Sequence, residues 1–280
     1  MTRAWHIAGG RKLNLGRRGL LMGILNVTPD SFSDGGQNTD VAVAVMAARA
    51  MVAEGADIID VGGESTRPGA EPVSADEEAA RVLPVIEALA DEGLVISVDT
   101  YRASTARAAL ALGASIVNDV TGGLGHADML DLVAETGAGF VAMHNSRPTF
   151  RPQRLADPVE DQLDFVAKLE DRLREAGVDA SQVVFDPGIG FGKEAEENLD
   201  LLARLDELTS GAFPLLLGTS RKRFIGAATG REAAERDAGT AATTVLGRRA
   251  GAAIFRVHAI PANRDALLMT EAVLAAGEPT

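Results

Sequence analysis

The sequence predicts an α/β fold, a (β/α)8 TIM barrel with a short N-terminal β-hairpin, and three observations carry that expectation. Eight short apolar runs rich in Val, Ile and Leu are spread along the chain. Continuous runs of this kind suit parallel strands covered on both faces. The interval from each run to the next leaves room for a helix, as alternating strand and helix require. Each run also leads into a polar or ionisable residue: 20–25 into Asn26, 56–59 into Asp60, 95–98 into Asp99, 115–117 into Asn118, 140–143 into His144, 183–185 into Asp186, 215–217 into Lys222 and 252–257 into His258. In a closed barrel the loops that follow the strands gather at one face, and catalytic residues sit there. The polar terminators are expected to converge in one mouth.

Length and composition are compatible with one such domain. A barrel of this class commonly needs about 250 residues, so residues 1–280 are expected to form a single domain. Hydrophobic residues make up 46% of the chain and aromatics 4%, so the core must be Ala, Val, Ile and Leu, and wholesale disorder is excluded. A formal charge of -13 with no long basic run argues against a nucleic-acid partner. Arg221, Lys222, Arg223, Arg256 and His258 still offer a local anion seat if two strand ends meet. The absence of cysteine suits the cytosol. Residues 1–10 hold no apolar stretch of signal-peptide length and no segment approaches a membrane span, so a cytoplasmic protein with no membrane partner is expected.

The elements follow in order. Residues 5–7 and 13–15 flank Gly9 and Gly10 as a hairpin that could plug the bottom of the barrel. Helices are expected over 40–54, 75–90, 104–112, 128–135, 158–176, 196–208, 237–250 and 263–276. Ser74 and Glu77 have the spacing of a capping box, in which each side chain satisfies an orphan backbone donor. Gly-Ala pairs at 55–56, 113–114, 137–138 and 251–252 fall where a helix should stop and a strand begin, and glycine closes helices in a left-handed conformation. Two Gly-flanked loops, 26–36 and 62–70, look like lids over a ligand. The connection 145–157 carries three Arg and two Pro, and the sequence assigns it no role.

Chemistry concentrates at the strand ends. Asp99, Asn118 and Asp186 together can read a heterocycle with several N–H donors on one edge, such as a pterin or guanine, because carboxylates accept and Asn does both. The competing role for Asp99 and Asn118 is helix N-capping. Lys222, after Gly218-Thr219-Ser220, resembles the cation of an anion-binding turn. Arg256 and His258 leave the last strand on one face, which favours an anion over a structural pairing of Arg256 with a core carboxylate. Asn26 could supply a neutral oxygen to Mg2+ shared with substrate phosphates. His144 has no evident partner and is expected to be structural or pocket-lining.

Two long motifs carry a resemblance. Gly23-Ile24-Leu25-Asn26-Val27-Thr28-Pro29-Asp30-Ser31-Phe32-Ser33-Asp34-Gly35-Gly36 and Asp60-Val61-Gly62-Gly63-Glu64-Ser65-Thr66-Arg67-Pro68-Gly69 resemble the signature stretches of the dihydropteroate synthase family. Shorter matches, Ser97-Val98-Asp99-Thr100, Val117-Asn118-Asp119, Asp186-Pro187-Gly188-Ile189-Gly190-Phe191-Gly192-Lys193, Ser220-Arg221-Lys222 and Arg256-Val257-His258, extend it over nearly the whole chain. The resemblance implies a pterin-binding barrel that joins 6-hydroxymethyl-7,8-dihydropterin pyrophosphate to 4-aminobenzoate in folate biosynthesis and is a target of sulfonamides. It implies that Asp99, Asn118, Asp186 and Lys222 hold the pterin with Arg256 over its ring. Asn26, Arg256 and His258 would take the pyrophosphate with magnesium, and Thr66, Arg67, Pro68, Phe32 and Phe191 would border the aminobenzoate pocket. A homodimer through barrel helices is also implied. Two departures stand out: Ala259 follows His258 where the family commonly has Asp, and Arg223 stands where a smaller residue is expected.

The mechanism expected is dissociative, with pyrophosphate leaving from the methylene carbon and Asp99 stabilising the resulting cation. Asp99, Lys222, Arg256 and His258 are the catalytic candidates. One rival is a Schiff-base aldolase with Lys222 as nucleophile. The other is the pterin-binding barrel of a folate-dependent methyltransferase or a non-catalytic paralogue, against which Arg256 and His258 speak as a pyrophosphate clamp.

Overall fold

The computed structural model describes residues 3–28, 37–64 and 73–277. The chain opens on the hairpin of β1 (Arg3–Ile7) and β2 (Arg11–Leu15). Gly9 and Gly10 take φ of 74° and 70° in its turn, a region that side chains with a Cβ avoid. Strands and helices then alternate: β3 (Leu20–Asn26), α1 (Gln37–Glu54), β4 (Ile58–Gly62), α2 (Ala75–Ala90), β5 (Ile96–Asp99), α3 (Ala103–Ala111), β6 (Ile116–Asp119), α4 (Met129–Thr136), β7 (Gly139–Met143), α5 (Pro158–Ala176), β8 (Val183–Asp186), α6 (Ala195–Ala203), α7 (Leu205–Thr209), β9 (Leu216–Leu217), α8 (Arg223–Thr229), α9 (Asp237–Ala250), β10 (Ile254–Val257) and α10 (Ile260–Ala276). The parallel sheet runs β8-β7-β6-β5-β4-β3-β10-β9, and a parallel bridge from Phe185 to Leu215 joins its two edges. The barrel closes, as the sequence predicts, and closure removes the open edges that invite aggregation.

Alternation along the strands sorts the apolar residues into two cores. Leu21, Leu25, Ile59, Val61, Val98, Val117, Phe140, Phe185, Leu217 and Phe255 belong to the larger one, packed with the helices. Leu20, Met22, Ile58, Ile116, Val141, Val184, Leu216 and Ile254 form the smaller one, inside the ring. The hairpin seals this inner core at the N-terminal ends of the strands. Trp5 is fully buried and its Nε1 donates to the Gln182 carbonyl at 2.7 Å, while the Ala8 amide donates to Ser115 O at 3.1 Å.

Three local expectations change. The helix expected over 196–208 is broken at Arg204, whose φ of -111° and ψ of 26° leave the helical region, giving α6 and α7. Residues after Lys222 form a helix of their own, α8. Ser74 caps α2 by accepting from the Glu77 amide, but the Glu77 carboxylate turns to Arg81 one turn later, so only half of the capping box is recorded. Gly137 and Gly251 close α4 and α9 in the left-handed region as expected.

Candidate active site

The rim of the inner core becomes polar within one step of the strand period. Two residues beyond Ile58, Ile116, Val184, Leu216 and Ile254 stand Asp60, Asn118, Asp186, Gly218 and Arg256, and alternate residues share a face of the sheet. Asp99 lies level with Gly62 on one side and Asn118 on the other. A methyl group built on Gly218 would stand 3.5 Å from Asp186 Oδ2, 3.9 Å from Lys222 Nζ and 3.9 Å from Arg256 Cβ. Residues separated by up to seventy positions thus surround one point at the C-terminal end of the strands. Asp99 and Asn118 sit inside or at the end of their strands, and the N-cap positions of α3 and α4 are Arg102 and Asp128, so neither serves as a helix cap.

Arg256 is the hub of this floor. Its Nε donates to Asp60 Oδ2 at 2.6 Å and its Nη2 to Asp99 Oδ2 at 2.5 Å. This is the carboxylate pairing that the sequence disfavoured, and it arises because a guanidinium taken out of water without a partner costs several kcal/mol. Asp60, the site residue that sequence reasoning left without a role, is fully buried and also accepts from Asn118 Nδ2 at 2.9 Å. Its Oδ1 is buried without a hydrogen-bond partner. The signals for it were its place after the second apolar run and at the head of the second long motif. Burial pushes the Asp99 carboxyl up to about 7, Arg256 pulling it down and Asp60 pushing it up. Burial opposes the Arg256 charge, yet Asp60 and Asp99 hold its pKa above the ordinary value.

Lys222 and Asp186 form the opposite side. Lys222 precedes α8, and its Nζ donates to Ile189 O and lies 4.6 Å from the centre of the Phe191 ring. Burial lowers its pKa to about 8 against the pull of Asp186. Asp186 is raised by burial, with Lys222 the strongest opposing influence, and its Oδ1 accepts from the Gly188 amide at 2.7 Å. The turn before Lys222 differs from an anion cradle in two of its donors: the Arg221 amide is bonded to Thr240 Oγ1 and the Lys222 amide to Thr219 O. The Arg221 guanidinium is taken by Asp237 at 2.7 and 2.8 Å. His258 Nδ1 meets Ser220 Oγ at 2.9 Å, which ties the end of β10 to that turn.

Comparison with known proteins settles the family. Residues 22–258 match the family model described as pterin binding enzyme. A dihydropteroate synthase of Clostridium beijerinckii is 42% identical over 95% of this chain and 98% of its own. The chain belongs to the dihydropteroate synthase family. Two solved members share its fold: that of Xanthomonas albilineans with 4-aminobenzoic acid (TM-score 0.91, 42% identity, 99% of this chain and 100% of the other) and that of Burkholderia cenocepacia complexed with 7,8-dihydropteroate (TM-score 0.88, 41% identity, 99% and 98%).

Several family positions remain to be placed. Phe32, Thr66, Arg67 and Pro68 lie outside the described residues. Arg223 opens α8 and is exposed, and Ala259 precedes α10 without a side-chain cap. His144, with no evident partner in the sequence and expected to be structural or pocket-lining, is fully buried with its Nε2 3.0 Å from Asp161 Oδ2 and its Nδ1 3.1 Å from Gln162 Nε2. It is a latch between β7 and α5 rather than a wall of the pocket, and its partners on α5 leave no mark near it in the sequence. The arginines of 145–157 also acquire roles: Arg151 pairs with Asp161, and Arg154 with Glu197. Among the described residues no group of three or more His, Asp or Glu could hold a metal. Asn26 closes β3 partly exposed, and its carboxamide makes no hydrogen bond among the described residues, which suits a single neutral ligand to a Mg2+ otherwise held by water and phosphate.

Proposed function

We propose that this protein condenses 6-hydroxymethyl-7,8-dihydropterin pyrophosphate with 4-aminobenzoate to give 7,8-dihydropteroate and pyrophosphate. The meeting of Asp186, Lys222 and Arg256 around Gly218, beside Asp99 and Asn118, carries this reading. Carboxylates and a carboxamide suit the N–H-rich edge of the pterin, and the ligands named for the two solved relatives are an aminobenzoate and the condensed product. Asp99, Asn118, Asp186 and Lys222 hold the pterin, while Arg256 covers its ring and, with His258, takes the diphosphate. As the methylene C–O bond breaks, Asp99 stabilises the cation that develops on the pterin. The arylamine nitrogen then forms the C–N bond and loses a proton. Phe32, Thr66, Arg67, Pro68 and Phe191 border the aminobenzoate. Electrostatic groups placed in this way contribute about 3 kcal/mol each to a transition state.

Mg2+, for which Asn26 offers an oxygen, would neutralise charge on the departing diphosphate. A homodimer is proposed as well, supported by the exposed Leu246 on α9 and Leu268, Met269 and Val273 on α10. The proposed location is the cytoplasm; no described helix is long and apolar enough to cross a membrane.

Release of pyrophosphate on mixing the purified protein with both substrates and magnesium tests the activity. A protein that binds the pterin diphosphate yet releases no pyrophosphate would instead be a pterin-binding barrel without this chemistry.

A further inference from the structure

Lys193 ends the loop that follows Asp186, and neither the pterin nor the aminobenzoate assignment uses it. Its Nζ donates to the Gly188 carbonyl at 2.9 Å and the His144 carbonyl at 3.3 Å. One ammonium therefore bridges the chain leaving β7 and the chain leaving β8. The two chains are already pressed together: a Cβ on Gly188 would stand 2.0 Å from His144 O, and Gly188 has φ of 61°. Within the loop, the Gly188 amide holds Asp186 Oδ1, the Gly188 carbonyl accepts from the Phe191 amide at 3.0 Å, and Ile189 O receives Lys222 Nζ. On its far side the Gly190 amide is held by Asn198 Oδ1 of α6 at 2.6 Å. The residue whose carbonyl Lys193 grips is thus the one whose amide orients one pterin-binding group and whose neighbour orients another.

We propose that Lys193 is a positioning residue, whose ammonium clamps the 186–192 loop to the end of β7 and so fixes Asp186 and Lys222 for the heterocycle. The proposal deepens the function given above and rests on it for its ligand. Two carbonyl oxygens turned toward each other repel, and a shared cation converts that repulsion into two charge-assisted hydrogen bonds. A neutral side chain of similar length would leave both carbonyls without that partner. Burial draws the Lys193 pKa down to about 7, with Asp186 and Asp161 holding it up and Lys222 and Arg154 pressing it down, so the ammonium belongs to the same electrostatic cluster as the pterin pair.

The test compares the wild type with Lys193→Met and Lys193→Arg in two measurements. Hydrogen exchange of the ligand-free protein reads the loop without reference to any substrate: exchange across 188–192 should quicken in Lys193→Met and return toward wild type in Lys193→Arg. Calorimetric titration with 6-hydroxymethyl-7,8-dihydropterin pyrophosphate should show roughly tenfold weaker binding by Lys193→Met, the worth of one hydrogen bond to a charged group, with most of it restored by Lys193→Arg. A Met variant that unfolds at a lower temperature but matches wild type in loop exchange and affinity would overturn the proposal, as would an Arg variant no better than Met. Failure of the wild type itself to bind the pterin would count against the function, while the exchange data would still decide the clamp.

Discussion

At the scale of single residues, the site is a balance of three buried carboxylates against two cations, and Asp60 sets that balance without appearing in the expected pterin set. In the proposed mechanism, ionised Asp99 is the form that stabilises a developing cation, and protonated Lys222 is the form that donates to the ring. With Asp99 near 7 and Lys222 near 8, kcat/KM should climb as pH rises through about 7 and decline through about 8. Asp60 raises the Asp99 pKa by its like charge and also competes for Arg256. In Asp60→Asn both effects relax in the same direction, so the acid limb of the profile should move to lower pH. An unmoved limb would assign it to a different group. The same variant should lose about 3 kcal/mol in urea unfolding, because it removes one partner of a buried ion pair.

At the scale of elements, α5 is fastened to β7 by His144, whose contacts with Asp161 and Gln162 bridge the end of the strand to the first two turns of the helix. Burial lowers the His144 pKa to about 4 from the ordinary 6.5, and Asp161 only partly offsets it. The unfolded chain therefore binds a proton between these values that the folded protein refuses. Stability from this group is complete above about 6.5 and falls as pH drops toward 4, by roughly 3 kcal/mol over the window. In His144→Gln that loss should vanish, so the stability difference between wild type and variant should change with pH over this range. A difference that stays constant would remove the histidine as its source.

At the scale of the molecule, the barrel separates stability from chemistry along its axis. The hairpin and inner core occupy the N-terminal ends of the strands, and the ionisable floor occupies the other end. Trp5→Ala should lower stability by about 3–5 kcal/mol, yet pterin affinity of the protein that remains folded should match wild type. A large affinity loss measured well below the unfolding temperature would show that the plug reaches the mouth.

Much of this was legible in the order of residues. Period and composition determine strand and helix before any contact forms, so α2, α5 and α9 fall on their expected bounds, and the polar terminators mark the mouth because a strand end is a local property. The long motifs fixed the family in the same way. Other features depend on which distant side chains meet: Arg256 on Asp60 and Asp99, His144 on Asp161, Lys193 across two loops. Sequence alone determined that a polar or ionisable residue follows each apolar run, since each run carries its own terminator. Tertiary structure alone decided which of them pair and at what pKa, because charges buried together are set by closure of the ring, which no single segment encodes.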